Sequence, residues 1–228
     1  KVIKRLMTEL DIPEKMYKPR NFQFEISKQK NELVTPEEYA KRVGQDPLSK
    51  NNAKIYEHYQ KYLIENNSMD FDDILVNMVK LLSNNPDVLE FYQNKFKYIM
   101  VDEYQDTNRA QYIAVKLLSK AHHNLCVVGD DDQSIYSFRG ADVRMILSFE
   151  KDFANAEVIK LEQNYRSTKT ILDAANAVIQ NNRNRKSKAL RTEGDNGDQI
   201  VLMCADTQNT EASFIADTIL RLKKAGKF

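Results

Sequence analysis

Two short apolar segments, each followed by a cluster of acidic residues, constrain the fold of this chain more than any other feature. The first segment is Tyr98–Val101, and Asp102 and Glu103 follow it directly. The second is Leu125–Val128, and the aspartates at residues 130–132 follow after a single glycine. A helical pattern of apolar residues separates the segments, so the order predicts a βαβ unit with a parallel sheet. Both acidic clusters then lie at the carboxyl edge of that sheet, where α/β proteins bind ligands.

The composition is that of a globular protein rather than a disordered one. The chain has 228 residues, of which 42% are hydrophobic and 29% are charged, enough for one large domain or two modest ones. Its net charge of +1 neither requires nor excludes nucleic acid, because binding depends on a local basic surface. No apolar run approaches the roughly 18 residues of a membrane span, and no signal peptide is recognisable. We therefore expect a cytoplasmic protein without a membrane partner.

The cysteines and histidines indicate neither disulfides nor a zinc site. Cys126 and Cys204 each lie in a short apolar segment, so we expect both to be buried, reduced thiols. The three histidines show no metal-ligand spacing with these cysteines. The sequence thus gives no reason to expect zinc.

The domain organisation follows from changes in pattern along the chain. Residues 1–68 have the pattern of a helical segment, and Thr35–Glu38 has the residues of a helix-capping box. A strongly amphipathic helix over residues 71–82 begins with aspartates that suit a helix N-terminus, and it leads towards the βαβ unit. We expect residues 69–153 to form an α/β domain and residues 154–228 to begin a second one.

The second α/β domain is predicted because the same alternation returns. The pattern gives strands at residues 157–161 and 199–204 and helices at residues 168–180 and 211–224. The expected fold class is therefore α/β, with parallel sheet segments and a mostly helical part at the front.

Asp102 and Glu103 have the residue types that phosphate chemistry requires. An apolar strand that ends in two adjacent acids has the form of a Walker B strand. There the first acid holds Mg²⁺, and the second can deprotonate a water that attacks a γ-phosphate. An isolated Asp-Glu pair after a strand is common, so the pair is informative only through its context. That context lacks a P-loop sequence, since the one glycine followed by lysine is Gly226.

The second acidic cluster leads into residues that suit nucleobases. Gln133 carries a neutral amide that could sense a γ-phosphate or its attacking water. Tyr136, Phe138 and Arg139 follow within six residues and offer stacking surfaces for single-stranded bases. Core packing of the two rings explains their spacing equally well. The sequence of this loop therefore allows two interpretations. Its aromatic residues either connect phosphate chemistry to a flat ligand such as a nucleobase or pack in the hydrophobic core.

Basic residues further along the chain add candidates for both roles. Arg166 could reach a γ-phosphate as an arginine finger does, and Tyr165 could stack on a base, although a solvated arginine is the commoner case. The polar run after residue 182 contains Arg185, Lys186 and Lys188. These could contact DNA phosphates or simply form a solvated loop. Spacing alone does not choose between these alternatives.

Four segments in order resemble the motifs of superfamily 1A DNA helicases of the UvrD/Rep/PcrA type, and the PcrA branch most. Residues 102–108 resemble motif II, residues 129–141 motif III and residues 161–167 motif IV. Residues 69–75 resemble the segment that precedes motif II. The similarity extends over essentially the whole chain, and three long motifs in the same order make chance negligible.

The resemblance implies a RecA-like, P-loop NTPase-type fold with an inserted helical subdomain. Residues 1–68 would be part of that subdomain (1B), residues 69–153 the end of the first RecA-like domain (1A), and residues 154–228 the start of the second (2A). It also implies a bacterial ATP-dependent helicase that moves 3′ to 5′ on single-stranded DNA. Such an enzyme unwinds duplexes at junctions of single- and double-stranded DNA and serves repair or replication, with partner proteins.

The resemblance also assigns residue roles by position, with ATP and Mg²⁺ as the nucleotide and cofactor. Asp102 would bind Mg²⁺, and Glu103 would be the catalytic base. Gln133 and Arg166 would approach the γ-phosphate. Tyr165 would contact the adenine base, whereas the residues on the DNA side would be Tyr136, Phe138 and Arg139.

The chain departs from the family pattern in several places. Phe138 stands where tryptophan is common, and Arg191 where an aromatic residue is common. Motif I and motifs V–VI do not occur, so we expect the chain alone to lack ATP hydrolysis. The alternatives are the helicase part of a RecB/AddA-type helicase–nuclease, or a non-catalytic scaffold. A further alternative is a two-metal nuclease built on Asp102, Glu103, Asp130 and Asp132.

Overall fold

The chain folds into two units, which are described separately. The structure, a computed structural model, describes residues 1–183 and 185–227, apart from the side chain of Arg139. The first unit comprises Lys1–Val158 together with Arg185 and Lys186, and the second comprises Ile159–Arg183 and the residues from Ser187 onward. Within the described ranges, no helix combines the length and the apolar content that crossing a membrane requires.

Helices dominate the first unit, as the helical period of its sequence predicts. Several of them carry proline in the first turn, where its missing N–H leaves no donor unpaired. The helices of this unit are α1 (Val2–Glu9), α2 (Pro19–Asn31), α3 (Pro36–Arg42), α4 (Pro47–Glu65), α5 (Phe71–Asn84), α6 (Pro86–Lys95), α7 (Arg109–Ser119), α8 (Arg144–Leu147) and α9 (Phe149–Asp152).

A hydrophobic core lies where α1, α2 and α4 meet. Burying each large apolar side chain there contributes about 1.5–3 kcal/mol. Tyr56 belongs to this core, and its hydroxyl donates to the carbonyl of Val34 at 2.9 Å. The core residues are Leu6, Met7, Ile12, Phe22, Ile26, Ile55 and Tyr56.

Reciprocal capping boxes fix the starts of α3 and α7. Thr35 Oγ1 accepts the N–H of Glu38, and the Glu38 carboxylate accepts the N–H of Thr35, which confirms the predicted box. Asn108 and Gln111 form the same reciprocal pair at the start of α7. Because these contacts span three residues, the sequence specifies them locally.

A buried ion cluster joins α2 to α5. Lys30 is 2% exposed, and its Nζ lies 2.8 Å from Asp70 Oδ2 and 2.8 Å from Asp73 Oδ1. Tyr59 donates to Asp70, and Gln60 donates to Asp73, both at 3.1 Å. The two aspartates also cap α5, which is the role that their position at a helix start predicts. The structure adds a buried cation that lies 40 residues away from Asp70 in sequence.

The parallel sheet predicted from the two apolar segments is confirmed. Strands β1 (Ile99–Val101) and β2 (Leu125–Val127) pair in parallel, with Met100 opposite Cys126. Met100 is 82% exposed, and Cys126 is exposed beside it. The prediction that Cys126 is buried was therefore wrong. Strand side chains alternate between faces, and Cys126 lies on the face opposite to that of its two half-buried neighbours.

The second unit contains α10 (Lys169–Ile179) and α11 (Gln208–Lys224), in agreement with the predicted helices. The strands predicted at residues 157–161 and 199–204 were wrong, because both segments lack regular structure. Neither pairs with a neighbouring strand in the described part of the chain, and a strand needs such a partner for its backbone groups. Cys204 lies in the second of these segments and is exposed, which corrects the prediction of a buried thiol.

Candidate functional site

Asp102 and Glu103 lie where β1 ends and the chain turns sharply. Glu103 has a left-handed backbone conformation, with φ of 50°, which is uncommon for a residue with a side chain. Its N–H donates to Asp102 Oδ1 at 2.9 Å, so the aspartate itself helps to close the turn. A 3₁₀ turn, Tyr104–Asp106, follows directly. Strain of this kind often accompanies a functional site, and here it falls on the predicted acidic pair.

The loop after β2 presents Gln133 at the end of a second 3₁₀ turn, Asp131–Gln133. Asp130 organises this turn, because its carboxylate accepts the N–H of Asp132 at 3.0 Å and the side-chain amide of Gln133 at 2.8 Å. The Gln133 side chain is exposed. The loop therefore displays a neutral amide at the carboxyl edge of the sheet.

Backbone hydrogen bonds hold the two loops side by side beyond the ends of the strands. The N–H of Val128 donates to the carbonyl of Val101 at 2.8 Å. The N–H of Tyr104 donates to the carbonyl of Val128 at 2.9 Å. The structure thus brings together the acidic pair and the loop that carries Gln133, as expected for two neighbouring strands of the predicted parallel sheet.

Gln105 links the same two loops, a contact that sequence reasoning missed although Gln105 lies within the segment that resembles motif II. Its side chain is 1% exposed. The side-chain Nε2 donates to Glu103 Oε2 at 2.8 Å, and Oε1 accepts the N–H of Asp130 at 2.9 Å. A buried glutamine with both ends engaged is a tertiary feature, because the partner at residue 130 is 25 residues away in sequence.

The acidic residues of this edge suit a divalent cation. Mg²⁺ binds one or two carboxylates and keeps several waters. Asp102 is exposed at the end of β1, so its position fits a hydrated Mg²⁺. The carboxylate oxygens of residues 130–132 also lie within 4.8 Å of one another. Of these, Asp132 is already bound by Arg185, which makes Asp102 the better candidate.

Arg185 and Lys186, which are predicted to contact DNA phosphates, each lie against acidic residues. Arg185 holds Asp132 through two hydrogen bonds, Nε to Oδ1 at 2.8 Å and Nη2 to Oδ2 at 2.6 Å. These hydrogen bonds raise the pKa of the Arg185 guanidinium above its ordinary value. Lys186 donates its N–H to Asp131 at 2.7 Å and places its Nζ 2.5 Å from Glu150. Lys188 is half-buried in the second unit.

Tyr136 and Phe138 do not belong to the core. They are 36% and 60% exposed, and their ring centroids lie 5.9 Å apart with a 45° tilt. The alternative of core packing was therefore wrong for this pair. The N–H of Asp142 donates to the carbonyl of Thr107 at 3.1 Å, which connects the end of the aromatic segment to the loop after β1. The side chain of Arg139, predicted to lie beside these rings, falls outside the described residues.

In the second unit, Asn164 shapes the segment that carries Tyr165 and Arg166. Its Oδ1 accepts the N–H of Arg166 at 2.9 Å and that of Ser167 at 2.8 Å. Tyr165 is 92% exposed, and Arg166 is exposed as well. Both side chains are accessible to a ligand, and their predicted roles towards a nucleotide stay predictions.

The chain matches two families of known proteins along nearly its whole length. Residues 1–154 match the family of the UvrD/REP helicase N-terminal domain. Residues 159–228 match the family of the UvrD-like helicase C-terminal domain.

Individual relatives are similar over almost the same span. The chain is 53% identical over 226 residues to the ATP-dependent DNA helicase PcrA of Bacillus subtilis. Over the same length it is 51% identical to the PcrA of Staphylococcus aureus strain Mu50 and 50% identical to that of Staphylococcus epidermidis. These matches cover 99% of the chain but only 30–31% of each relative.

Proposed function

Because the chain belongs to the UvrD/REP helicase family, we propose that it is a segment of an ATP-dependent DNA helicase. In this proposal the whole protein moves 3′ to 5′ on single-stranded DNA and unwinds duplexes at junctions of single- and double-stranded DNA. Support comes from the relatives named ATP-dependent DNA helicase that match 99% of the chain. The fold would be RecA-like, with residues 1–68 in subdomain 1B, residues 69–153 in domain 1A and residues 154–228 in domain 2A.

One observation carries the proposal most directly. At the carboxyl edge of the parallel pair β1–β2, the acidic residues Asp102 and Glu103 lie beside the loop of Gln133. The same loop continues into the exposed rings of Tyr136 and Phe138. A site for phosphate chemistry and a surface for bases are therefore separated by only a few residues of one loop.

The proposed mechanism divides the work among these side chains. Mg²⁺, when bound by Asp102, would neutralise charge on the phosphates of ATP. Glu103 takes the proton of the attacking water as the general base. Gln133 contacts the γ-phosphate or the water with a neutral amide. Arg166 adds positive charge at the γ-phosphate, and Tyr165 stacks on adenine.

The test is a chimera in which this chain replaces the matched segment of the Bacillus subtilis relative. Hydrolysis of ATP should be stimulated by single-stranded DNA. Glu103→Gln should leave ATP binding within about threefold while lowering turnover about 10²- to 10⁴-fold, the usual contribution of a general base. Glu157→Gln, which changes an exposed acid outside the site, is the matched control. Full turnover in the Glu103→Gln chimera would reject Glu103 as the base.

DNA binding is tested with substitutions of the exposed rings. Tyr136→Ala and Phe138→Ala should each weaken single-stranded DNA binding by about 1–3 kcal/mol, the contribution of one stacked base. Phe138→Trp should bind at least as tightly, because the larger ring offers more stacking area. Unchanged affinity in both alanine variants would place the DNA elsewhere.

The basic run is tested by the salt dependence of DNA binding. If Lys188 contacts a phosphate, Lys188→Ala lowers the slope of log affinity against log salt concentration by about one. Arg185→Ala and Lys186→Ala are measured in the same way, and each side chain that contacts a phosphate should lower the slope by a similar amount. An unchanged slope in all three variants would place the basic run away from the DNA.

A further inference from the structure

We propose that Gln105 is a positioning residue for Glu103 and that it couples the Glu103 carboxylate to the loop carrying Gln133. The inference rests on the proposed role of Glu103 as the base. The Gln105 side chain is 1% exposed, and its Nε2 lies 2.8 Å from Glu103 Oε2. A hydrogen bond of this length from a fixed donor restricts a carboxylate that otherwise rotates freely.

The other end of the amide fixes the donor itself. Oε1 of Gln105 accepts the N–H of Asp130 at 2.9 Å, at the start of the turn that displays Gln133. A Cβ atom at Gly129 would lie 2.6 Å from this oxygen, so the close approach requires glycine at position 129. The Gln105 side-chain amide is therefore held between the two loops, by the backbone N–H of Asp130 at one end and the Glu103 carboxylate at the other.

Only a glutamine satisfies both contacts at once. The end that faces the Glu103 carboxylate must donate, and the end that faces the backbone N–H of Asp130 must accept. Glutamate would place like charges 2.8 Å apart at the first contact while keeping the second. Methionine has a similar length but makes neither hydrogen bond. Glutamine also adds no charge beside an acidic pair that is proposed to bind Mg²⁺.

The geometry has a consequence for ATP hydrolysis. Asp130 holds the Gln133 side chain at 2.8 Å, and its own N–H is held by Gln105. A shift of the Gln133 side chain caused by a γ-phosphate is therefore transmitted to the Glu103 carboxylate through three successive hydrogen bonds, by way of Asp130 and Gln105. Gln105 does not touch the reacting atoms, so it acts on the rate through Glu103 and not on nucleotide affinity.

The experiment is a double-mutant cycle in the chimera described above. Gln105→Glu keeps the acceptor for Asp130 and removes the donor to Glu103, so single-turnover hydrolysis should fall about 10²-fold, the usual effect of misplacing a reacting group by about 1 Å. The affinity for fluorescent ADP should stay within about threefold. Gln111→Glu makes the same chemical change at the capping glutamine of α7, where glutamate also caps well, and should hydrolyse ATP at the unsubstituted rate.

The cycle separates positioning from a structural role. In the Glu103→Gln background, Gln105→Glu should lower the remaining rate by less than about threefold, because the group that Gln105 positions is gone. Gln105→Met, which adds no charge, should give the same pattern. An equal loss of rate in both backgrounds, or no loss in either, would overturn the role of Gln105 and leave the proposed role of Glu103 intact. Full turnover of the Glu103→Gln chimera would instead remove the proposed base, and this inference with it.

Discussion

Replacing Lys30 with methionine should destabilise the first unit severely. The substitution keeps the length of the buried side chain but removes the charge that lies between Asp70 and Asp73. Both carboxylates then face each other in a site where Asp73 is 3% and Lys30 2% exposed. The hydrogen bonds that Tyr59 and Gln60 donate to these carboxylates remain, so the effect isolates the cation.

The magnitude follows from the distances. At an effective dielectric constant of about 20, each contact of 2.8 Å is an attraction of about 6 kcal/mol. Much of this is offset by the cost of removing three charges from water, so the net value of the cluster is far smaller. Removal of one partner leaves that cost uncompensated, and such changes lose about 3–5 kcal/mol. That is a large part of the ~5–15 kcal/mol by which domains are usually stable.

The assay is urea unfolding of the 228-residue chain, followed by circular dichroism, with Lys28→Met as the control. Lys28 is an exposed residue of the same helix, so its replacement should change the free energy of unfolding by less than about 0.5 kcal/mol. The difference between Lys30→Met and the unsubstituted chain should also depend on pH.

The direction of the pH dependence follows from Asp73. Burial alone raises the pKa of Asp73, but the hydrogen bond and charge of Lys30 outweigh it, so the pKa lies below its ordinary value. Because the pKa of Asp73 is lower in the folded state than the value of about 3.9 in the unfolded chain, the ionised side chain stabilises the fold above about pH 3.9. This contribution is lost as the pH falls through the pKa of the folded state. The penalty of Lys30→Met should therefore persist at neutral pH and shrink below about pH 4. A penalty under about 1 kcal/mol at neutral pH would refute the reasoning.

Three further predictions concern stability. Asn108→Ala removes the cap of α7 and should lower the free energy of urea unfolding by about 1–2 kcal/mol; no change would mean that the cap is dispensable. Gly129→Ala places a Cβ 2.6 Å from Gln105 Oε1 and should cost about 1–3 kcal/mol in the same assay, whereas a neutral result would mean that the loop adapts. Chiefly through burial, the pKa values of Tyr39 and Tyr104 rise to about 12. The stability that these two neutral side chains contribute is therefore fully present below about pH 10 and should be lost as the pH rises towards 12. A constant melting temperature over that range would contradict the raised pKa values.

The parts of the fold that sequence predicts are those specified by neighbours in the chain. The capping pair Thr35–Glu38 lies within one helical turn, and the helices around it follow from apolar residues at helical spacing. The unit β1–α7–β2 follows from two apolar segments around such a helix. The acidic pair at the end of β1 is predictable for the same reason, because parallel strands place their carboxyl ends at one edge.

The parts that sequence missed depend on partners far along the chain. The alternation of side chains along β2 predicts two faces but not which of them the rest of the protein covers. The expectation that Cys126 is buried was wrong for this reason. The apolar segments at residues 157–161 and 199–204 have strand composition but no neighbouring strand within the described ranges. Arg185, read as a DNA contact, lies against Asp132, 53 residues away in sequence. No pattern within a short window contains these pairings.

For this protein, the sequence by itself determined the helices, their caps, the parallel βαβ unit and the residue types at its carboxyl edge. Those features arise from hydrogen bonds and periodicity over a few residues, so local order is enough to specify them. Only the tertiary structure decided that Lys30 neutralises Asp73 and that Gln105 connects Glu103 to the loop of Gln133. Such contacts exist only after packing excludes water and fixes distant segments, because a buried polar group must then find its partner inside the protein.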